Sequence, residues 1–219
     1  WTGLDYYGEP SPFGWPGISS QFGICDLGAI PKDYYYYYQA NWLKDPMLHI
    51  MPHWNKEGLE IKQGKTRVRI FTNCDEVELF VNGKSQGRQK VIDYQTNWTV
   101  PYEKGKITAK GYVTGKLMAQ NEKITSEKIE KIKVIVRYQG KETTIYELEA
   151  IDRNNNLVPT ADNWIDVKCD NAKIIGLTNG DPSDLSPYSL TRIRLFSGKA
   201  IVIVKHKEDS ESRLKAEVK

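Results

Sequence analysis

The stretch "EVELFVNGKSQG" at residues 76–87 constrains the chain most. Val77, Leu79 and Val81 alternate with Glu76, Glu78 and Phe80. A strand sorts that pattern onto two faces, whereas a helix scatters it. Asn82-Gly83 then supplies two residues that tolerate positive φ, the strongest short-range hairpin signal. The same period recurs along most of the chain. "TRVRIFTN" sets Val68 and Ile70 against Arg67, Arg69 and Phe71, and "GKITAKGYVTGK" predicts a strand leading into a turn near Thr114-Gly115. "EKIKVIVR" sets Ile132, Val134 and Val136 against Lys131, Lys133 and Arg137. "TIYELEAIDRNNNLVP" puts Tyr146, Leu148 and Ala150 on one face and breaks at Asn154-Asn155-Asn156, and "GKAIVIVKH" and "SRLKAEVK" end the chain in strands. Turns spaced about 8–12 residues apart predict β-sandwiches. The polar stretch around residues 119–131 is the expected junction, giving two sandwiches of roughly 75–95 residues each.

The first 45 residues are different. They hold twelve of the 24 aromatic residues and only two lysines, Lys32 and Lys44, against five acids. The remainder carries 29 basic residues and 23 acids. This shift places a boundary at Asp45-Pro46. Within the aromatic part, "GAIPKDYYYYYQANWL" predicts a helix with Pro31 in the first turn and Asp33 complementing the helix dipole. Ile30, Tyr34, Tyr37, Tyr38 and Trp42 share one face at helical spacing. Tyr35 and Tyr36 leave it, so the helix is aromatic nearly all round and is expected to be wedged between neighbours. A tyrosine strand is the competing expectation.

Composition excludes several classes of function. A net charge of +3 over 219 residues is too small to argue for nucleic acid. No apolar run reaches the roughly 18 residues of a membrane span. Cys25, Cys74 and Cys169 are far apart and predict free, buried thiols rather than a metal knuckle. Asp5 and Glu9 are the one tempting carboxylate pair in the aromatic part, but "GEPSP" predicts a turn that makes Glu9 a loop carboxylate. His49 and His53 have metal-ligand spacing, yet Pro52 lies between them and no third ligand is evident. His206 falls at a strand edge without an evident partner. "TNGDPSD" at 178–184 predicts a turn held by Asx-type hydrogen bonds, with an oxygen-ligated cation as the alternative. Asn97-Trp98-Thr99 fits a glycosylation sequon, a pattern common by chance. The residues alone describe a multi-domain β protein with no self-contained catalytic set and no call for a cofactor.

The ordered series "WTGLDYYGEPSPFGWPG", "PKDYYYYYQANW", "PMLHIMPHWN", "TNCDEVELFVNGKSQG" and "LEAIDRNNNLVPTADNWIDV" resembles the C-terminal part of glycoside hydrolase family 2, in its β-galactosidase-like branch. The resemblance covers essentially the whole chain. It implies a mainly β fold: two consecutive immunoglobulin-like sandwiches preceded by a short aromatic remnant of a TIM barrel. Residues 1–45 correspond to the end of that (β/α)8 barrel, 46–125 to the sandwich that follows it, and 126–219 to the immunoglobulin-like C-terminal domain. The family implies a retaining mechanism with two glutamates on barrel strands ahead of Trp1, so no catalytic residue is expected in this chain. Trp1 itself is expected to wall the sugar subsite. The implied partner is a carbohydrate substrate in the intact enzyme, with homo-oligomers allowed by the family and a periplasmic or secreted setting by analogy. Metal ligands are not implied. Two rivals remain: a carbohydrate-binding module using Trp54, Trp98 or Trp164 as a platform, and spacer or subunit-contact domains without a ligand. Twelve aromatic rings also predict that the first segment, if ordered, packs against the first sandwich or a neighbouring molecule.

Overall fold

The computed structural model describes residues 2–187, 189–207 and 213–218. The chain begins with two short strands, β1 (Thr2–Leu4) and β2 (Gly23–Cys25), paired in parallel, and a helix, α1 (Asp33–Trp42). Everything after the helix is β-structure, and the protein is mainly β, as the alternation requires. Contacts divide the chain into two units. One runs from Pro31 to Thr125, and the other joins the residues up to Ile30 to those from Ser126 onward.

The Pro31–Thr125 unit contains β3 (Leu48–Met51), β4 (Ile61–Lys62), β5 (Lys65–Thr72), β6 (Glu76–Val81), β7 (Lys84–Lys90), β8 (Gln95–Pro101), β9 (Lys106–Val113) and β10 (Lys116–Ile124). In one sheet β3 and β4 share an edge of β5 while β8 runs along its other edge. The second sheet has the order β10-β9-β6-β7. Val68, Ile70, Val77, Leu79, Ile107 and Ala109 meet between them and are buried. The Asn82-Gly83 turn has φ of 48° and 82°, and Thr114-Gly115 has 49° and 80°, both the left-handed geometry that matches the twist of paired strands. The junction is shorter than expected. Lys116–Ile124 is a full strand because it pairs along β9, and the connection reduces to residues 125–130.

The helix lies on the outer face of β5 and β3. Phe71, fully buried, receives the rings of Tyr34 and Tyr37 at centroid distances of 5.4 and 5.6 Å. Tyr36 stacks on His49 at 3.7 Å with the planes 6° apart. Arg69 Nη1 donates to the Tyr34 hydroxyl (2.8 Å), and the Tyr37 hydroxyl donates to Asp93 (3.2 Å). The predicted aromatic face is therefore corrected: the sheet selects Tyr34, Tyr36 and Tyr37, while Tyr38 and Trp42 pair with each other and Trp42 is 72% exposed. Within this chain the sheet covers one side of the helix, and Ala40 is its fully buried residue.

The other unit contains β11 (Lys131–Gln139), β12 (Thr143–Ile151), β13 (Trp164–Asp170), β14 (Ala172–Thr178), β15 (Arg192–Arg194), β16 (Lys199–His206) and β17 (Arg213–Val218). Its sheets are β11-β12-β16-β14 and β15-β13-β17. Leu148, Ala150, Ile165, Val167, Val202 and Val204 form the core between them. The opposite face of β12 and β16 is covered as well: Glu147, Ile151 and Ile201 are all buried there. Glu147 accepts hydrogen bonds from Lys199 Nζ (2.6 Å) and from Arg137, and Lys199 also reaches Glu149 (2.9 Å).

The residues up to Ile30 pack on this unit and not on the first sandwich, which corrects the expectation for the aromatic segment; only the helix lies on that one. Asp5 N–H donates to the Cys25 carbonyl (3.0 Å), and Asp5 Oδ1 accepts from Gly23 N–H (2.8 Å). Asp26 Oδ1 accepts from the N–H groups of Gly28 (2.8 Å) and Ile30 (2.9 Å), closing a compact turn. A Cβ on Gly28 would lie 3.2 Å from Ile201 Cγ1, which places that turn over the outer face of β16. Ile18 N–H donates to the Pro182 carbonyl at 2.9 Å.

Replacing Phe71 with alanine removes the anchor of α1. We expect a loss of about 3–5 kcal/mol in urea unfolding and faster hydrogen exchange at residues 34–40. Unchanged exchange there contradicts this account of the helix. Burial pushes the Glu147 carboxyl up, but Lys199 and then Arg137 outweigh it and hold it below its ordinary 4.5. Its native value is depressed, so its contribution is present above pH 4.5 and is lost as pH falls through the native value. Lys199 is held above its ordinary 10.5: burial lowers it, but hydrogen bonds and charge from Glu147 and Glu149 prevail. Its contribution is present below that value and is lost as pH rises through the native one. Lys199→Met is expected to cost about 3 kcal/mol, the low end for breaking a buried pair because Arg137 stays in place. Glu147→Gln is expected to flatten the acid limb of melting temperature against pH.

Candidate functional site

Trp1, assigned by resemblance to the sugar wall, lies outside the described residues. Asp5 and Glu9 do not form a hydrolytic pair. Asp5 is buried and ties β1 to β2, and Glu9 takes the hydroxyl of Tyr6 on the surface. His49 is engaged by Asp33 at 2.7 Å and by the Tyr36 ring. Burial pushes its imidazole down, and Asp33 only partly opposes this. His53 accepts Asn55 N–H at Nδ1 (3.2 Å), and burial lowers it also. His206 has a partner after all: its Nε2 lies 2.8 Å from Thr144 Oγ1, because β12 pairs with β16. Among the described residues no three His, Cys, Asp or Glu side chains group to hold a metal ion. None of the three cysteines forms a disulfide; Cys74 is buried, while Cys25 and Cys169 are only half-buried, which corrects the expectation of three buried thiols. Asn97 of the sequon is mid-strand and accepts Arg69 Nε (3.0 Å).

Two of the three candidate platform indoles belong to the core. Trp54 is 1% exposed and donates to the Glu103 carbonyl (2.9 Å), and Trp98 is buried between the sheets. Trp164 differs. It is half-buried at the start of β13 and lines a cavity of about 240 Å³ together with Tyr7, Ile18, Asn179, Asp184 and Arg192.

Three stretches of chain build this cavity. In the β13–β15 pair, Trp164 stands opposite Arg194 and Asp166 opposite Arg192, so the four side chains share the outer face while Ile165 and Ile193 point into the core. The Arg192 guanidinium lies over the Trp164 ring, 4.7 Å from its centroid. The second wall is the 178–184 stretch, which is the predicted run of Asx turns. Asn179 Oδ1 accepts Asp181 N–H (3.1 Å), Asp181 Oδ1 accepts Ser183 N–H (2.8 Å), and Asp184 Oδ1 accepts Ser186 N–H (2.8 Å). Asn179 Nδ2 ties Asp184 Oδ2 and the Arg194 carbonyl, each at 2.8 Å. Burial pushes the Asp184 carboxyl up, but these hydrogen bonds and Arg194 hold it below the ordinary range. The third wall is the aromatic loop, through Tyr7 and Ile18. Among the described residues that line this cavity there is no histidine, lysine or cysteine, and the Asp184 carboxylate is engaged by Asn179 and Ser186. Sequence reasoning reached Trp164 and the 178–184 turn separately, but Tyr7 and Arg192 carried no local signal.

The chain was compared with known proteins. Residues 128–219 match the family model described as glycoside hydrolase family 2 C-terminal domain 5, and residues 63–119 match a domain of unknown function, DUF4982. The chain is 38% identical over 215 residues to the β-galactosidase BoGH2A of Bacteroides ovatus, covering 94% of this chain and 25% of that protein. It is 26% identical over 162 residues to a β-glucuronidase of Formosa agariphila, covering 68% of this chain and 16% of that protein. A crystal structure of a β-glycosidase from Bacteroides vulgatus superposes with a TM-score of 0.90 at 34% identity, covering 100% of this chain and 29% of that one. The chain thus spans about a quarter or less of the length of these curated relatives. Among the described residues no helix is long and apolar enough to cross a membrane.

One close approach offers a direct test of the cavity wall. A Cβ on Gly180 would sit 1.8 Å from Asp26 Oδ2, so the 178–184 stretch and the Asp26 turn fit together only with glycine there. Gly180→Ala is expected to destabilise the protein, and Asp26→Ala to cost about 1 kcal/mol through its lost backbone hydrogen bonds. The double variant is expected to be more stable than the sum predicts, by about 1 kcal/mol in a denaturant-unfolding cycle. Strict additivity rules out the contact.

Proposed function

Since this chain belongs to glycoside hydrolase family 2, in the C-terminal region of its members, we propose that it is the C-terminal part of a β-galactosidase-like retaining hydrolase of O-glycosidic bonds. The strongest support is the span of similarity: 38% identity across 94% of the chain to a β-galactosidase. In this reading residues 1–45 are the end of the catalytic barrel, 46–125 the sandwich that follows, and 126–219 the immunoglobulin-like C-terminal domain.

The surface of the first residues agrees with a missing neighbour. Tyr7, Phe13, Trp15 and Phe22 are exposed, Trp15 by 79%, and Leu4 of β1 is half-exposed. Rings so crowded and so open fit a face that meets further protein. The pairing of β1 with β2 is parallel, the arrangement of barrel strands. Barrel active sites gather residues from the C-terminal ends of several strands. A retaining glycosidase places two carboxyl groups about 5–5.5 Å apart. The two reacting glutamates belong to barrel strands ahead of Trp1, and the chain alone is inactive. Trp1 then offers an indole to the C–H face of the sugar. The sandwiches brace the barrel, and the burial of Trp54 and Trp98 removes most of the support for a separate binding module.

The purified chain is expected to leave a chromogenic β-galactoside intact at the level of a buffer blank. A longer protein that includes the barrel is expected to hydrolyse it with retention at the anomeric carbon. Turnover by the pure chain overturns the assignment.

A further inference from the structure

We propose that the uncovered part of the outer face of β11-β12-β16-β14 is a docking surface for protein that precedes Trp1, the outer helices of the catalytic barrel, which bring carboxylates to Lys173 and Lys205. The inference rests on the barrel reading above and deepens it, by naming the surface of the C-terminal sandwich that the barrel occupies.

Strand register lays this face out row by row. Ile201 lies beneath the Asp26 turn and is buried together with Glu147 on the strand beside it. One row farther along, Ile145 stands between Tyr138 and Ile203, and Gly176 stands on the other side of Ile203. The register of β14 shifts between Ile174 and Gly176, so Ile175 is turned out while Ile174 and Leu177 stay with the core. This row is apolar across all four strands. Yet Tyr138 is 56% exposed and Ile175 43%, and Ile145 and Ile203 are half-buried. A continuous apolar strip rimmed by polar residues marks a surface that meets other protein.

Two observations select the occupant. The first is continuity. The residues up to Ile30 already cover the neighbouring row, and in the reading above they are the end of the barrel. Helices form the outer ring of a barrel, so its further helices lie beside the covered row. The second is charge. On the covered rows the acids are paired within the sheet: Glu147 with Lys199 and Arg137, and Glu149 with Lys199 at 2.9 Å. Beyond the apolar row, Lys173 stands directly opposite Lys205, and like charges so placed destabilise a sheet. Neither lysine pairs with a carboxylate among the described residues. Carboxylates on the docked helices relieve that repulsion. A second copy of the chain would bring another lysine pair instead.

The test compares the 219-residue chain with a longer protein that includes the barrel. Lysines are acetylated in each under native conditions and read by mass spectrometry against the unfolded protein. Lys173 and Lys205 are expected to label freely in the chain and about tenfold more slowly in the longer protein. Carbodiimide cross-linking of the longer protein is expected to join either lysine to an Asp or Glu of a barrel helix. Ile175→Glu is expected to leave the cooperative melting of the chain intact and to restore labelling in the longer protein; if that variant does not melt cooperatively, Tyr138→Glu decides. Equal labelling in the two proteins, cross-links to a domain other than the barrel, or a folded variant whose lysines stay shielded overturns the proposal. So does a chain that sediments as a dimer with both lysines protected, which assigns the face to a second copy. Any of these outcomes leaves the hydrolytic reading standing, because that one is decided by turnover in the longer protein.

Discussion

The outer face of β12 and β16 cannot be exposed, and much of the molecule follows from that. A sandwich buries the facing sides of its two sheets and leaves the other sides to water. Here Glu147, Ile151 and Ile201 are buried on the side that should be wet. Lys199 and Arg137 neutralise the carboxylate, and the Asp26 turn comes down on Ile201. The aromatic segment up to Ile30 is therefore held by the sheet as one of its layers. That layer carries Tyr7 to the mouth of the cavity.

The two halves of the aromatic stretch serve different sheets. The segment before Pro31 covers the C-terminal sandwich, and the helix after it covers β5 and β3 of the other. Each sandwich thus receives a cover on one outer face. Phe71 and Ile201 play equivalent parts: each is an apolar residue on an outer strand face that only a cover makes tolerable. Tyrosine suits such work because its ring packs while its hydroxyl finds Arg69 or Asp93 at the margin.

The strands were legible because alternation is a local property. Val77, Leu79 and Val81, or Tyr146, Leu148 and Ala150, announce their burial within six residues, and Asn82-Gly83 announces its turn in two. The helix was legible in extent but not in orientation. Its five tyrosines offer nearly the same chemistry on every side, so Phe71 and His49, distant in sequence, choose which ones turn inward. The same limit applies to the cavity. Tyr7, Trp164 and Arg192 become neighbours only through the pairing of β13 with β15 and the docking of the loop. The Asx turn at 178–184 could be read from its acids and turn formers; that it walls a cavity could not.

The discontinuity of the second unit has a consequence for how the chain is made. Ninety-five residues, Pro31 to Thr125, separate the aromatic segment from the sandwich that receives it. A ribosome adding about 5–20 residues each second must deliver that whole interval and then β11 to β16 before the segment finds its seat. For on the order of ten seconds the seat that this stretch takes on β12 and β16 does not yet exist. The Pro31–Thr125 unit is complete before its neighbour, so the two are expected to form in that order as the chain is made.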